Sequence, residues 1–186
     1  MAIKLSRSQK EKQRRKERVG NQTRREQRNA ILRKNIRKFD DPLLSVQCYA
    51  LAEDADISFI TTMKQTLCAT KSGVGLAAPQ IGVTRCAVVL RFDPKKNDIK
   101  VMINPEIIAH STQMETGPEG CLSYPGVAAR ISRFIEVKIK YEDEARKEHT
   151  DTFKGFEARV VQHELDHLIN GTCAVGIWYK EHQKKE

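Results

Sequence analysis

Residues 155–169 read Gly-Phe-Glu-Ala-Arg-Val-Val-Gln-His-Glu-Leu-Asp-His-Leu-Ile. Phe156, Val160, Val161, Leu165 and Leu168 recur at helical spacing, which predicts a helix with these residues on its buried side. Asn170-Gly171 follows and is expected to stop it. Within the helix, His163-Glu164-Leu165-Asp166-His167 is an HExxH pattern. Histidines at i and i+4 share one helical face, so both imidazoles can reach one metal ion. Glu164 follows the first ligand directly and can handle the protons of a water at that ion. The plain alternative is a charged helix with two unrelated histidines. His110, His149 and His182 show no comparable spacing.

The pattern excludes some metal enzymes. A metzincin needs Gly at 170 and His at 173, and this chain has Asn170 and Cys173. A thermolysin-like site needs a downstream acidic ligand, and only Glu181 and Glu186 remain after the helix. The third ligand is therefore sought upstream, at Glu119-Gly120-Cys121-Leu122-Ser123, between Pro118 and Tyr124-Pro125-Gly126. A cysteine among turn-forming residues can project from a rigid loop. Cys121 with the two histidines makes three protein ligands and leaves a fourth position for water. A thiolate in the set suits Fe(II) or Zn(II) better than a hard cation. Taken alone, Cys121 reads first as a buried thiol.

A third stretch is Gly73-Val74-Gly75-Leu76-Ala77-Ala78-Pro79-Gln80-Ile81-Gly82. Its small residues permit close backbone approach. It is not a phosphate loop, because no Lys-Ser/Thr follows the glycines. Gln80 can donate its amide N–H to a developing oxyanion. Equally, it can cap backbone groups in a tight packing loop.

Around these motifs the chain alternates little. A helix is expected after Asp54 or Asp56, with Ile57, Ile60, Met63, Leu67 and Cys68 as its stripe and Gly73 as a left-handed cap. Cys86–Phe92 and Lys100–Ile108 read as strands, the second broken by Pro105. Ile135, Val137, Ile139 and Tyr141 alternate with charged residues, a strand with one wet face. Residues 150–153 add one more. Strands clustered between two helices predict an α+β fold with mainly antiparallel sheet around the HExxH helix.

The 186 residues carry a net charge of +9, but unevenly. Residues 1–38 hold 15 Lys/Arg against 3 Asp/Glu, so this arm is strongly basic and residues 39–186 are slightly acidic. The arm lacks the apolar residues for a core of its own, and Gly20-Asn21 is expected to interrupt it, leaving it flexible or loosely helical. Its charge points to a polyanion, RNA first, or to a solvated tail without a partner. No apolar run approaches the roughly 18 residues of a membrane span, so no membrane partner is expected. Five cysteines without a CxxC pair fit a reducing, cytoplasmic setting, and all but Cys121 are expected to be buried hydrophobes.

Together, GVGLAAPQ (residues 73–80), EGCLS (119–123) and QHELDH (162–167) resemble the three motifs of peptide deformylase, in the family's order. The resemblance spans roughly residues 40–175. It implies removal of the formyl group from N-terminal formyl-methionine, with release of formate. It implies Cys121, His163 and His167 as metal ligands, with Fe(II) the usual ion and Zn(II) or another divalent ion an alternative. It implies Glu164 as general base and acid, and Gln80 with the Leu122 backbone N–H facing the formyl oxygen. Gly75 and Gly120 would border the substrate backbone, and Val74, Phe156 and Val160 would receive the methionine side chain. The chain departs from the pattern in three ways: an extra residue before Gly171, Thr-Cys-Ala-Val-Gly in place of the usual Leu-Phe-x-Asp-Arg, and an early C-terminus. The missing C-terminal helix contributes to ribosome docking in many members, a role the basic arm could take over. A generic HExxH peptidase would need neither GVGLAAPQ nor EGCLS. A nucleic-acid-binding protein with an idle site would not need Cys121, His163, His167, Glu164 and Gln80 intact together.

Overall fold

The computed structural model describes residues 7–93, 95–96, 98–169 and 172–183. Asn170-Gly171, the expected helix stop, lies outside them. Five strands form one antiparallel sheet in the order β1-β2-β3-β6-β7: β1 (Gly75–Ala77), β2 (Ala87–Leu90), β3 (Lys100–His110), β6 (Glu136–Glu142) and β7 (Glu148–Lys154). A separate hairpin joins β4 (Met114–Cys121) to β5 (Tyr124–Phe134). The four described α-helices are α1 (Arg7–Lys34), α2 (Phe59–Ala69), α3 (Gly155–Ile169) and α4 (Ala174–Gln183). The α+β expectation holds.

Side chains of a strand alternate between faces, and that alternation builds two cores here. Val88 and Leu90 of β2, Met102 of β3, and Val137 and Ile139 of β6 meet Ala158, Val160, Val161, Leu165 and Leu168 of α3. On the opposite face, Ala87, Val89, Val101 and Ile103 meet Ile60, Met63 and Leu67 of α2. β2 is therefore buried on both sides, which is why it reads as an unbroken apolar run. Each large apolar side chain buried this way stabilises the fold by about 1.5–3 kcal/mol. The cores clamp the α3 helix against the sheet and so fix where its histidines point.

Several local expectations change. The β3 strand passes through Pro105 unbroken, but the pairing with β6 shifts register between Ile103 and Glu106, and Asn104 takes a positive φ of 50°. The bulge absorbs the missing proline N–H. Gly73 is not a left-handed cap; α2 ends at Thr70 in extended conformation. Ser58, not an aspartate, is the N-cap, while the Asp56 carboxylate accepts from Ser58 N–H at 2.8 Å. Cys68 is exposed and Cys86 half-buried, so neither is a core thiol. Phe156 is 59 % exposed, because the first turn of α3 opens onto a cavity and not onto the core.

The α1 helix runs through Gly20 and Asn21 without the expected interruption. Along most of its length it is exposed, and Gln13 with Glu17 and Gln22 with Glu26 make i,i+4 hydrogen bonds on its surface. Its root is fastened to the body. Arg33 donates to the Ala69 carbonyl at 2.9 Å, Ile36 is buried, and Arg37 N–H donates to the Gln80 carbonyl at 2.8 Å.

Candidate active site

Period-two alternation along β4 buries Gly117, Glu119 and Cys121 together and turns Pro118 and Gly120 outward. A two-residue turn, Leu122-Ser123, then leads into β5, with a register shift between Gly120 and Cys121. Cys121 thus stands at a strand end facing α3. Its Sγ lies 3.3 Å from Nε2 of His167. His163 and His167 stack edge-on, 5.5 Å between ring centroids. Nδ1 of His163 is held by the Glu119 carboxylate at 2.9 Å, which leaves Nε2 for the cluster.

Four ligand atoms lie within 4.8 Å of one another: those of Cys121, His163, His167 and, unforeseen from the sequence, Cys173. All four residues are buried. Cys121 is pushed well above the ordinary thiol range by its interaction with Cys173 and by burial. Burial drives His163 down, but Cys173 and Glu119 outweigh it and raise it to about 10. Two thiols and two imidazoles gathered at this spacing match the donor chemistry of a thiolate–imidazole metal site. The residues therefore fit the divalent metal that the resemblance implies.

Glu119 is the keystone beneath the site. Arg133 grips it with Nε at 2.8 Å and Nη2 at 3.0 Å, and Arg159 adds Nη1 at 3.0 Å. Arg133 also reaches Asp166 on α3 at 2.8 Å. Burial raises the Glu119 carboxyl, but the Arg133 and His163 hydrogen bonds prevail and bring it down to about 2. Gln162 locks α3 further by exchanging hydrogen bonds with both backbone groups of Phe134. Sequence reading missed these partners because they lie 14–44 positions apart and no spacing rule joins them.

Glu164 is buried, and its Oε2 has no hydrogen-bond partner among the described residues. Burial raises its carboxyl above the ordinary carboxylate range. An orphaned buried carboxylate oxygen is costly and marks a place prepared for a ligand or water. Gly75 makes room for it, since a Cβ there would collide with the Glu164 carboxylate. Gly75→Ala is therefore expected to displace Glu164 and cut activity by at least about 100-fold, the usual reach of one acid–base group. A thermal melt within a few degrees of the parent distinguishes this from misfolding, and near-parental activity would contradict it.

Gln80 lies in a short 3₁₀ turn, Ala78–Ile81, after β1. Ala77 N–H donates to its Oε1 at 2.9 Å, which aims Nε2 at Cys121 Sγ (3.5 Å) and Ser123 Oγ (3.1 Å). Arg91, buried, holds the preceding loop through the Gly73 carbonyl at 2.9 Å. A cavity of ≈ 330 Å³ opens beside these groups. Its lining includes Val74, Gly75, Gly120, Leu122, Phe156, Val160, His163 and Glu164. That size falls at the small end of ligand pockets, roughly 300–1,000 Å³. Larger surface depressions near Lys100 and along α1 contain none of these groups.

Comparison with known proteins agrees with this geometry. The family described as Polypeptide deformylase matches residues 33–178. A peptide deformylase of Natranaerobius thermophilus is 38 % identical over 137 residues, 73 % of this chain and 86 % of that protein. One of Pseudothermotoga lettingae is 42 % identical over 137 residues, 73 % and 77 % of the two chains. The crystal structure of a Synechococcus elongatus peptide deformylase in complex with actinonin superposes with a TM-score of 0.71 at 29 % identity, covering 80 % of this chain and 86 % of that one.

Proposed function

The chain belongs to the polypeptide deformylase family, metal-dependent hydrolases that remove the formyl group from the N-terminal formyl-methionine of nascent polypeptides, and on that premise we propose how its own residues divide the work. The observation that carries the assignment is the convergence of Cys121, His163 and His167 next to a Glu164 oxygen that has no partner among the described residues, with His163 and Glu164 lining a small, mainly apolar cavity. Cys121, His163 and His167 hold the metal. A divalent cation there supplies an acidified water and a Lewis acid for the formyl oxygen. We take Fe(II) as the native ion, with Zn(II) as the substitute.

Glu164 accepts a proton from the attacking water as the new C–O bond forms. It delivers that proton to the amine as the C–N bond breaks and formate leaves. Gln80, oriented by Ala77, keeps one N–H on the Cys121 sulfur and turns the other from Ser123 to the developing oxyanion. The Leu122 backbone N–H is the second donor. Removing one such donor costs roughly 3–4 kcal/mol of barrier. β1 is an edge strand of the sheet, and Gly75 on it borders the cavity, so an extended formyl-peptide can add alongside it. Val74, Phe156 and Val160 receive the methionine side chain, and Gly120 borders the peptide opposite. Elemental analysis tests the ligand set: the double variant His163→Ala/His167→Ala purifies without the equimolar metal of the parent. Full metal content in that variant would overturn it.

For the exposed part of α1 we propose a ribosomal RNA partner in the cytoplasm. Its charge is distributed all round the helix, which suits a polyanion better than a packed protein interface. Because residues from Asn29 onward pack on the body, the informative deletion is residues 1–28. It is expected to leave formate release unchanged and to abolish co-sedimentation with ribosomes at low salt. Unchanged co-sedimentation would exclude the arm as the contact.

A further inference from the structure

A three-ligand site needs only Cys121, His163 and His167, yet a second thiol stands among them. Cys173 is fully buried, and its Sγ lies with the other three ligand atoms inside a 4.8 Å span. A tetrahedral site with bonds of roughly 2.0–2.3 Å has edges of about 3.3–3.8 Å. The Cys121–His167 pair at 3.3 Å already matches such an edge. Closing the remaining edges needs shifts of about an ångström.

The position of Cys173 is built and not incidental. Cys173 stands directly before α4, which begins at Ala174. Ala174 N–H donates to the Asp166 carboxylate at 3.2 Å, the same oxygen that receives Arg133. Thr172 Oγ1 meets the Tyr124 hydroxyl at 3.1 Å. Gly176 and Ile177 both donate to the Cys173 carbonyl, at 2.9 and 3.1 Å. Gly176 itself is required, since a Cβ there would strike Thr172 and Tyr124. Cys173 is thus held at the site by the start of α4, in the segment where this sequence departs from the family pattern.

We propose that Cys173 is a fourth, releasable protein ligand, so that the resting metal is closed by Cys121, Cys173, His163 and His167. The proposal rests on the three-ligand reading above and deepens it. The fourth position is the one that water must occupy. Turnover would therefore require Cys173 to withdraw as water enters, the proton released by that water passing to the departing sulfur. Movement of the start of α4 is the physical means, since the hydrogen bonds at Thr172 and Ala174 are the ones holding the thiol in place.

Co(II)-loaded full-length protein tests this without reference to turnover. Thiolate-to-cobalt charge-transfer absorbance reports the number of bound sulfurs. Parent protein is expected to show two, and Cys173→Ala and Cys173→Ser one each, halving the absorbance per cobalt. Chelator is expected to strip cobalt from either variant about tenfold faster. Formate release per loaded metal is expected to rise in both, because the water position is permanently open. Unchanged absorbance in both variants, together with its loss in Cys121→Ala, overturns the fourth ligand and leaves the three-ligand site standing. Unchanged absorbance in Cys121→Ala as well overturns both.

Discussion

Glu164→Gln is expected to lose deformylation by about 10³-fold or more while keeping its metal. The side chain is isosteric, and the ligands Cys121, His163 and His167 are untouched. What disappears is a proton acceptor and donor at a buried position with one free oxygen. One positioned acid–base group contributes typically 10²–10⁴-fold, and Glu164 acts in two proton transfers. Steady-state formate release with parallel elemental analysis checks it. Activity within tenfold of the parent, at full metal occupancy, would remove Glu164 from the chemistry.

Glu119→Gln is expected to be the most destabilising single change near the site, by about 3–5 kcal/mol, because it takes the buried carboxylate charge from two guanidinium groups and leaves Arg133 only Asp166. Arg133 and Arg159 both depend on that carboxylate. The same change weakens the orientation of His163, and metal affinity is expected to drop about 10–100-fold. Urea unfolding and competitive chelation measure the two effects separately. The pH dependence follows from the depressed carboxyl. Its pKa falls from 4.5 to about 2 on folding, so its stabilisation is complete above the ordinary carboxylate value. That stabilisation is lost progressively as pH falls from 4.5 toward 2. The parent should therefore lose stability steeply in that window, and Glu119→Gln should lose less. An equal acid slope in both proteins would contradict the ion-pair account.

The sequence was most legible where periodicity and chemistry coincide. Residues 155–169 form a helix with the bounds expected from Gly155 and the apolar stripe. Val137, Ile139 and Tyr141 face inward from β6 as their alternation requires. By contrast, the β4–β5 hairpin was hidden. Gly117, Pro118, Gly120, Pro125 and Gly126 carry turn chemistry, so EGCLSYPG read as a loop. In the fold they sit on a two-stranded ribbon, where the outward Pro118 and Gly126 with its φ of 79° are tolerated. The α4 helix was also missed, its short apolar pattern masked by the expected end at Gly171.

Within the site, each short-range relation was visible and each long-range one was not. His163 and His167 share a turn, and Glu164 lies between them. Cys121 could be joined to them as a third ligand only by a search upstream, and taken alone it read as a buried thiol. Cys173 read as a buried thiol, although it stands where the metzincin spacing puts a third ligand, because that pattern asks for His at 173 and Gly at 170. Its position directly before α4 brings it there. The Glu119 network was invisible because its members are far apart in sequence: Arg133 arrives from β5 and Arg159 from the turn of α3 before His163.

The central claim is that this metal cluster and Glu164 hydrolyse a formyl amide at a peptide N-terminus. Formate release from formyl-Met-Ala-Ser by anaerobically purified protein tests it most directly, before and after metal removal. The account predicts one formate per free Met-Ala-Ser amine, lost on chelation and restored by one equivalent of divalent metal. No formate from protein carrying one metal per chain, or cleavage at an internal peptide bond, would contradict it.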